Sequence, residues 1–200
     1  MRDSIFSAQP VGLPGLVALV VGALCFFAAL LRTRLRAGSS GAGARRSSLS
    51  AAGIAFQMAG FFAAGFGPVR TELAPASLAA VGEALAVAAL LGAAVLLFSA
   101  AAGAMGSNWS LIARTRSDHR LVTNGVFARI RHPIYLAMAL FLLALAIGLG
   151  HESNLLAAMP CFALGTWIRV REEEKLLRAQ FGGAYEDYAA AVKRFVPGLF

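Results

Sequence analysis

Three arginines and two histidines fall between Asp118 and Tyr135, in DHRLVTNGVFARIRHPIY, with long apolar runs on either side. Arg131-His132-Pro133 stands directly before the apolar run that begins at Ile134. Proline suits a first helical turn, because the amide hydrogen it lacks would have no partner there. A helix opened by Pro133 would turn its free N–H groups and positive dipole end back towards His132 and Arg131, which makes an anion site. The alternative is a cytoplasmic basic loop whose arginines fix topology and touch lipid headgroups. A second charged group lies downstream, in Arg169-Val-Arg171-Glu172-Glu173-Glu174-Lys175. Arg169 and Glu173 are four residues apart and share one face of a continuous helix. They are either a carboxylate clamp with a carboxylate beside it or a surface ion pair of about 0.3–0.5 kcal/mol. Successive helical side chains swing by about 100°, so at most one or two of the glutamates face a pocket and the rest form a solvated face. Cations beside a carboxylate suit a zwitterionic cofactor that brings its own reactive centre. No Ser-His-Asp arrangement, cysteine nucleophile, metal-ligand cluster or GxGxxG loop accompanies them.

The elements that must hold these groups are membrane helices. The 200 residues are 58% hydrophobic and only 14% charged, against roughly 45–50% apolar in a soluble domain. The net charge of +8 is carried almost wholly by arginine, Lys175 and Lys193 being the only lysines. These arginines sit in short loops between apolar blocks, which argues for membrane topology and against nucleic acid. Cys25 and Cys161 fall inside apolar runs and read as small buried residues, with no disulfide framework or metal spacing.

The apolar blocks predict an all-α, single-domain bundle over residues 1–200, with spans at 14–31, 49–67, 78–102, 134–150 and 155–168. A cofactor loop covers 106–133, and an amphipathic surface helix covers 171–196, interrupted near Gly182-Gly183. Gln57 reads as an interhelical hydrogen-bonding residue. Glu83 lies near the start of the third span. It is either a functional group within the membrane or one that reaches headgroup water or Arg70, and its place near the interface favours the second reading. Loops 32–48 and 106–132 carry five arginines each, whereas 68–76 and 151–154 carry one and none. The positive-inside rule then sets the N-terminus outside, the tail in the cytoplasm and the active site on the cytoplasmic face.

At these residues the chain resembles a known family. Arg131-His132-Pro133-Ile134-Tyr135 is similar to the RHPxY signature of the isoprenylcysteine carboxyl methyltransferases, which are integral membrane enzymes. Arg169-x-x-x-Glu173-Glu174, followed by Leu177, Phe181-Gly182, Tyr185 and Tyr188, resembles the closing motif of that family. Gly106, Asn108-Trp109-Ser110, Leu121-Val122 and Gly125 match its opening segment, so the resemblance covers the half of the chain from Gly106 onward. One departure is Gly125-Val126-Phe127, where the family often has tyrosine; stacking survives that change but a hydroxyl is lost.

The resemblance implies methyl transfer from S-adenosylmethionine (SAM) to the carboxylate of a prenylated cysteine or a similar lipophilic acceptor. His119, Arg120, Leu121, Val122, Phe127, His132, Pro133, Ile134, Tyr135 and Glu173 would line the cofactor pocket, and Arg169 would be the catalytic contact to the acceptor carboxylate. His132 and the helix start would hold the methionine carboxylate of SAM, and Glu173 its ammonium. No metal is expected, and the partners are the acceptor and membrane lipids. Related architectures methylate phospholipid amines or small thiols, and a membrane anchor or partner-binding protein is the non-enzymatic alternative.

Overall fold

The computed structural model describes residues 8–36, 45–46, 48–106, 114–115 and 121–198. The apolar runs form helices α1 (Leu13–Arg36), α2 (Ser48–Gly65), α3 (Leu78–Met105), α4 (Pro133–Gly148) and α5 (Leu155–Phe181), with α6 (Gly183–Ala191) after a break. The five expected spans each lie on one of the first five helices, but α5 runs well past residue 168. With 24 and 28 residues, α1 and α3 are long and apolar enough to cross a membrane, whereas α2 and α4 are apolar but shorter. By length and composition, then, two helices rather than five meet the requirement on their own. Val17, Val20, Leu24, Phe27 and Leu31 of α1 and Leu78, Leu85 and Leu96 of α3 face outward, a belt suited to lipid. Cys25 also lies on the outward side of α1, and Cys161 is half-buried, so neither is the fully buried residue its apolar neighbours suggested.

The fold is not purely helical. Short strands β1 (Pro10–Gly12) and β3 (Arg70–Leu73) pair in parallel just before α1 and α3, and β2 (Arg45–Arg46) pairs antiparallel with β4 (Arg114–Thr115). Two helices that start at the same end bring their lead-in segments side by side, where backbone groups without helical partners can pair. Glu83 belongs to this end. Its carboxylate accepts the Gly12 amide at 2.9 Å and seats against Gly15, where any Cβ would collide with it. It therefore serves the start of α1, while Arg70 pairs with Glu72 at 2.8 Å.

α3 packs between α1 and α4, and α2 packs along α5. Leu19, Phe26, Val87, Leu91, Phe98 and Phe141 fill the first group, and Ala64, Leu142, Ala146, Ala158 and Phe162 fill the second. Phe61 joins them, its ring 5.8 Å from Phe141 and 5.9 Å from Phe162. Lipid gives helices no hydrophobic reason to associate, so close packing and hydrogen bonds must hold α2 on α5. Glycines allow that approach: a Cβ on Gly53 would lie 2.9 Å from the Gly165 carbonyl oxygen, and one on Gly60 2.9 Å from that of Ala158.

The turn between α4 and α5 secures the same end. Asn154 donates to the carbonyls of Ala63 and Phe66 at 2.9 and 2.8 Å, which satisfies the end of α2. His151 Nε2 lies 3.1 Å from the Pro68 carbonyl oxygen. Gly150 has φ +70°, and its carbonyl accepts the Gln9 amide at 2.7 Å. The opposite end gathers the starts of α2 and α4 with the polar continuation of α5. The two charged stretches read from the sequence therefore meet there.

Candidate functional site

Pro133 occupies the first turn of α4, as its missing N–H predicts, with His132 at the N-cap. Before it, a 3-10 turn over Gly125–Ala128 begins at φ +60°, a conformation that suits glycine. Phe127 is buried in that turn, and its carbonyl accepts the Tyr188 hydroxyl at 2.8 Å. Burial, with Tyr185 alongside, pushes the Tyr188 hydroxyl up to about 12, so it keeps its donor proton at physiological pH. α6 consequently lies on the segment leading to α4.

Over 171–196, where a surface helix interrupted near Gly182-Gly183 is expected, the chain forms three pieces. Residues 171–181 extend α5, Gly182 with φ +52° ends it, and α6 sends the chain back over the site. Beyond α6 the tail pairs by backbone with the segment before α4. The amides of Arg131 and His132 donate to the carbonyls of Lys193 and Arg194, each at 2.9 Å. A membrane-surface helix would leave Tyr185 half in water; here it is buried beneath Arg131 and Arg178.

Glu174 fastens these pieces together. Its side chain is 1% exposed and accepts Arg194 through two bonds of 2.8 and 2.9 Å. Arg131 approaches the same carboxylate to 2.9 Å, His132 Nε2 to 3.2 Å and Arg178 to 3.4 Å. Burial alone would push this carboxyl up, but Arg194, His132 and Arg131 together hold it well below the usual carboxylate range. Glu174 is thus no part of a solvated face. A buried charge is tolerated only when paired this fully.

One residue earlier, Glu173 turns the other way. It accepts the Tyr135 hydroxyl and lies 3.7 Å from His132 Nδ1, while 26% of its side chain stays exposed. Arg169 lies on the same face, Nη2 being 3.9 Å from Glu173 Oε1. Arg169 is itself buried, with its guanidinium 5.2 Å from the centre of the Tyr135 ring. Its Nη1 donates to Gln57 Oε1 at 3.1 Å, and Gln57 Nε2 donates to Thr166 at 2.9 Å. The interhelical role expected of Gln57 is therefore seen, and the ion pair is not the exposed surface pair that spacing alone allowed.

Of the residues singled out from the sequence, Arg169, Glu173, Tyr135 and His132 converge in one cluster. Pro133 opens the helix that carries Tyr135 and is capped by His132, and Ile134 packs against the apolar core. Phe127 stands in the adjoining turn. Leu121 and Val122 are half-buried in the coil before it and, being apolar, add nothing to the hydrogen-bonded cluster. His119, Arg120 and the Asn108-Trp109-Ser110 match lie outside the described residues. Both ring nitrogens of His132 face glutamates, so it would have to release one of them to hold a cofactor carboxylate. Sequence reasoning missed Glu174 as the hub and Arg194 as its partner, and it read Gln57 as an interhelical residue without pairing it with Arg169. The four-residue rule would have paired Glu174 with Arg178, but nothing local points to Arg194 or Gln57.

The donor set fits a zwitterion that carries its own electrophile. Glu173 is a carboxylate with one open side, tied to the start of α4 through Tyr135 and His132. Among the described residues no group of His, Cys, Asp or Glu is arranged to hold a metal ion.

Comparison with known proteins shows what this chain is similar to. Residues 83–179 match the isoprenylcysteine carboxyl methyltransferase (ICMT) family model. The protein-S-isoprenylcysteine O-methyltransferase of Dictyostelium discoideum is 30% identical over 107 residues, 50% of this chain and 44% of that protein. Its namesake from Schizosaccharomyces pombe is 33% identical over 98 residues, 46% of this chain and 40% of that one. That from Tribolium castaneum is 33% identical over 98 residues, 46% of this chain and 34% of that one. The chain therefore spans less than half the length of these curated relatives. A solved structure of the eukaryotic intramembrane Ras methyltransferase ICMT, without a monobody, is similar at TM-score 0.46 and 24% identity, over 77% of this chain and 54% of that one.

Proposed function

We propose that this chain, whose residues 83–179 match the ICMT family, is a membrane enzyme that moves the methyl group of SAM to a carboxylate. The acceptor that best suits the site is the C-terminal carboxylate of a prenylated cysteine. The observation that carries this reading is a buried Arg169 four residues from the half-open Glu173 carboxylate. A guanidinium offers a planar two-donor fork to a carboxylate. An amine or thiol acceptor has no use for that fork, which ranks phospholipid amines and small thiols below a carboxylate.

When bound, SAM supplies an electrophilic methyl on a sulfonium whose bonding pair stays with a neutral thioether. Glu173 takes the cofactor ammonium, and the start of α4 with His132 takes its carboxylate. Tyr135, Pro133, Ile134, Phe127, Leu121 and Val122 form the surrounding wall, and His119 and Arg120 are assigned to it on the family resemblance. Arg169 turns the acceptor oxygen towards the methyl, so positioning in a dry site supplies most of the acceleration. Five crossings put this site on the cytoplasmic face, an arrangement supported by the arginine asymmetry of alternate loops.

The test is an acceptor panel. Membranes carrying the chain are given methyl-labelled SAM with a prenylcysteine analogue, phosphatidylethanolamine or a small thiol. Label in a base-labile ester of the prenylcysteine supports the reading. Label only in the amine or the thiol contradicts it.

A further inference from the structure

We infer that Gln57, on a helix outside the family-matched segment, is a positioning residue that aims Arg169 at the acceptor carboxylate; this rests on the acceptor role proposed for Arg169. Gln57 is 2% exposed and stands on α2, facing α5. Its Oε1 accepts Arg169 Nη1 at 3.1 Å, and its Nε2 donates to Thr166 Oγ1 at 2.9 Å, one turn earlier on α5. The two ends of an amide are chemically distinct, and a guanidinium only donates. The carbonyl must therefore face Arg169, and the NH2 must find an acceptor, which Thr166 provides. Flipping the amide would set donor against donor in a buried place, so the orientation is fixed.

The shaft of Arg169 is held as well. A Cβ on Gly53, one turn before Gln57, would come within 2.5 Å of Arg169 Cγ, so the missing side chain is what lets the arginine lie there. The Tyr135 ring flanks the head, 5.2 Å from its carbon. Neutrality is the second part of the argument. An amide orients the guanidinium without drawing on its charge, which Glu173 at 3.9 Å already shares, and it sets no second carboxylate against the acceptor. A carboxylate at position 57 would orient it equally well and consume that charge.

The full chain in detergent carries the test as wild type, Gln57→Leu, Gln57→Glu and Arg169→Ala. SAM affinity is measured by calorimetry, and KM and kcat with a prenylcysteine analogue. Both Gln57 variants should bind SAM within about three-fold of wild type, while Gln57→Leu lowers kcat/KM about ten-fold. Gln57→Glu should raise KM for the acceptor further, by about a hundred-fold, because the new carboxylate competes for Arg169. A purely structural Gln57 reverses that order. The glutamate would then behave almost as wild type, or SAM binding and turnover would fall together, and either result overturns the inference. If the leucine variant does not fold, the near-isosteric glutamate variant decides alone. Full activity in Arg169→Ala would remove the acceptor reading itself and this inference with it. Lost activity there, beside normal kinetics in both Gln57 variants, would remove only the role of Gln57.

Discussion

Removing the Glu174 carboxylate would leave Arg131, His132 and Arg194 facing one another across a buried space. Glu174→Ala should therefore destabilise the protein by roughly 3–5 kcal/mol, the usual result of breaking one side of a buried charge cluster. Unfolding of the variant and wild type in the same detergent measures it. The sign with pH follows from the depressed folded value. The unfolded carboxyl titrates near 4.5, so the contribution is complete above that and is lost only as pH falls through the lower folded value. The melting temperature should lose this Glu174 contribution only in strong acid, and Glu174→Gln should lose it at every pH. Helical periodicity allowed at most one or two of Glu172, Glu173 and Glu174 to face a pocket, without saying which. The rotation of α5 is set elsewhere, by Gly165 and Thr166 against α2, and no pattern local to the three glutamates contains that information.

At the scale of elements, the apolar runs were enough to locate α1 to α5, and Pro133 and Gly182-Gly183 marked a start and a break that the structure contains. What the sequence did not reveal is the return of the tail. The bonds from Arg131 and His132 to the carbonyls of Lys193 and Arg194 join backbone groups about sixty residues apart, and backbone pairing leaves no signature in side-chain type. The short strands escaped notice for the same reason. The α2–α5 contact depends on side chains that are absent, and this yields a test. Gly53→Val would drive methyl groups into Arg169 and the Gly165 carbonyl. It should cost about 1–3 kcal/mol in unfolding experiments and lower methyl transfer by displacing Arg169, whereas Gly92→Ala, on an open face of α3, should do neither.

At the scale of the molecule, one end of the bundle holds the β1–β3 pair, Asn154 and the carbonyls that Asn154 and His151 meet, and the other holds nearly all the chemistry. In the five-crossing arrangement these are the outer and cytoplasmic ends. Cysteines placed at the exposed positions Glu152 and Lys175 should label from outside and only from the cytoplasm, respectively; the reverse pattern would refute that topology. The central claim is narrower: the polar end divides its labour, Glu173 holding cofactor and Arg169 holding acceptor. Calorimetric SAM binding, run beside methyl transfer to a prenylcysteine analogue, tests it most directly. Glu173→Gln should weaken SAM binding by about ten- to a hundred-fold through loss of one charged hydrogen bond. Arg169→Ala should leave SAM affinity within a few-fold and yet sharply reduce turnover. Loss of SAM binding in Arg169→Ala, with Glu173→Gln binding SAM as well as wild type, would contradict the account.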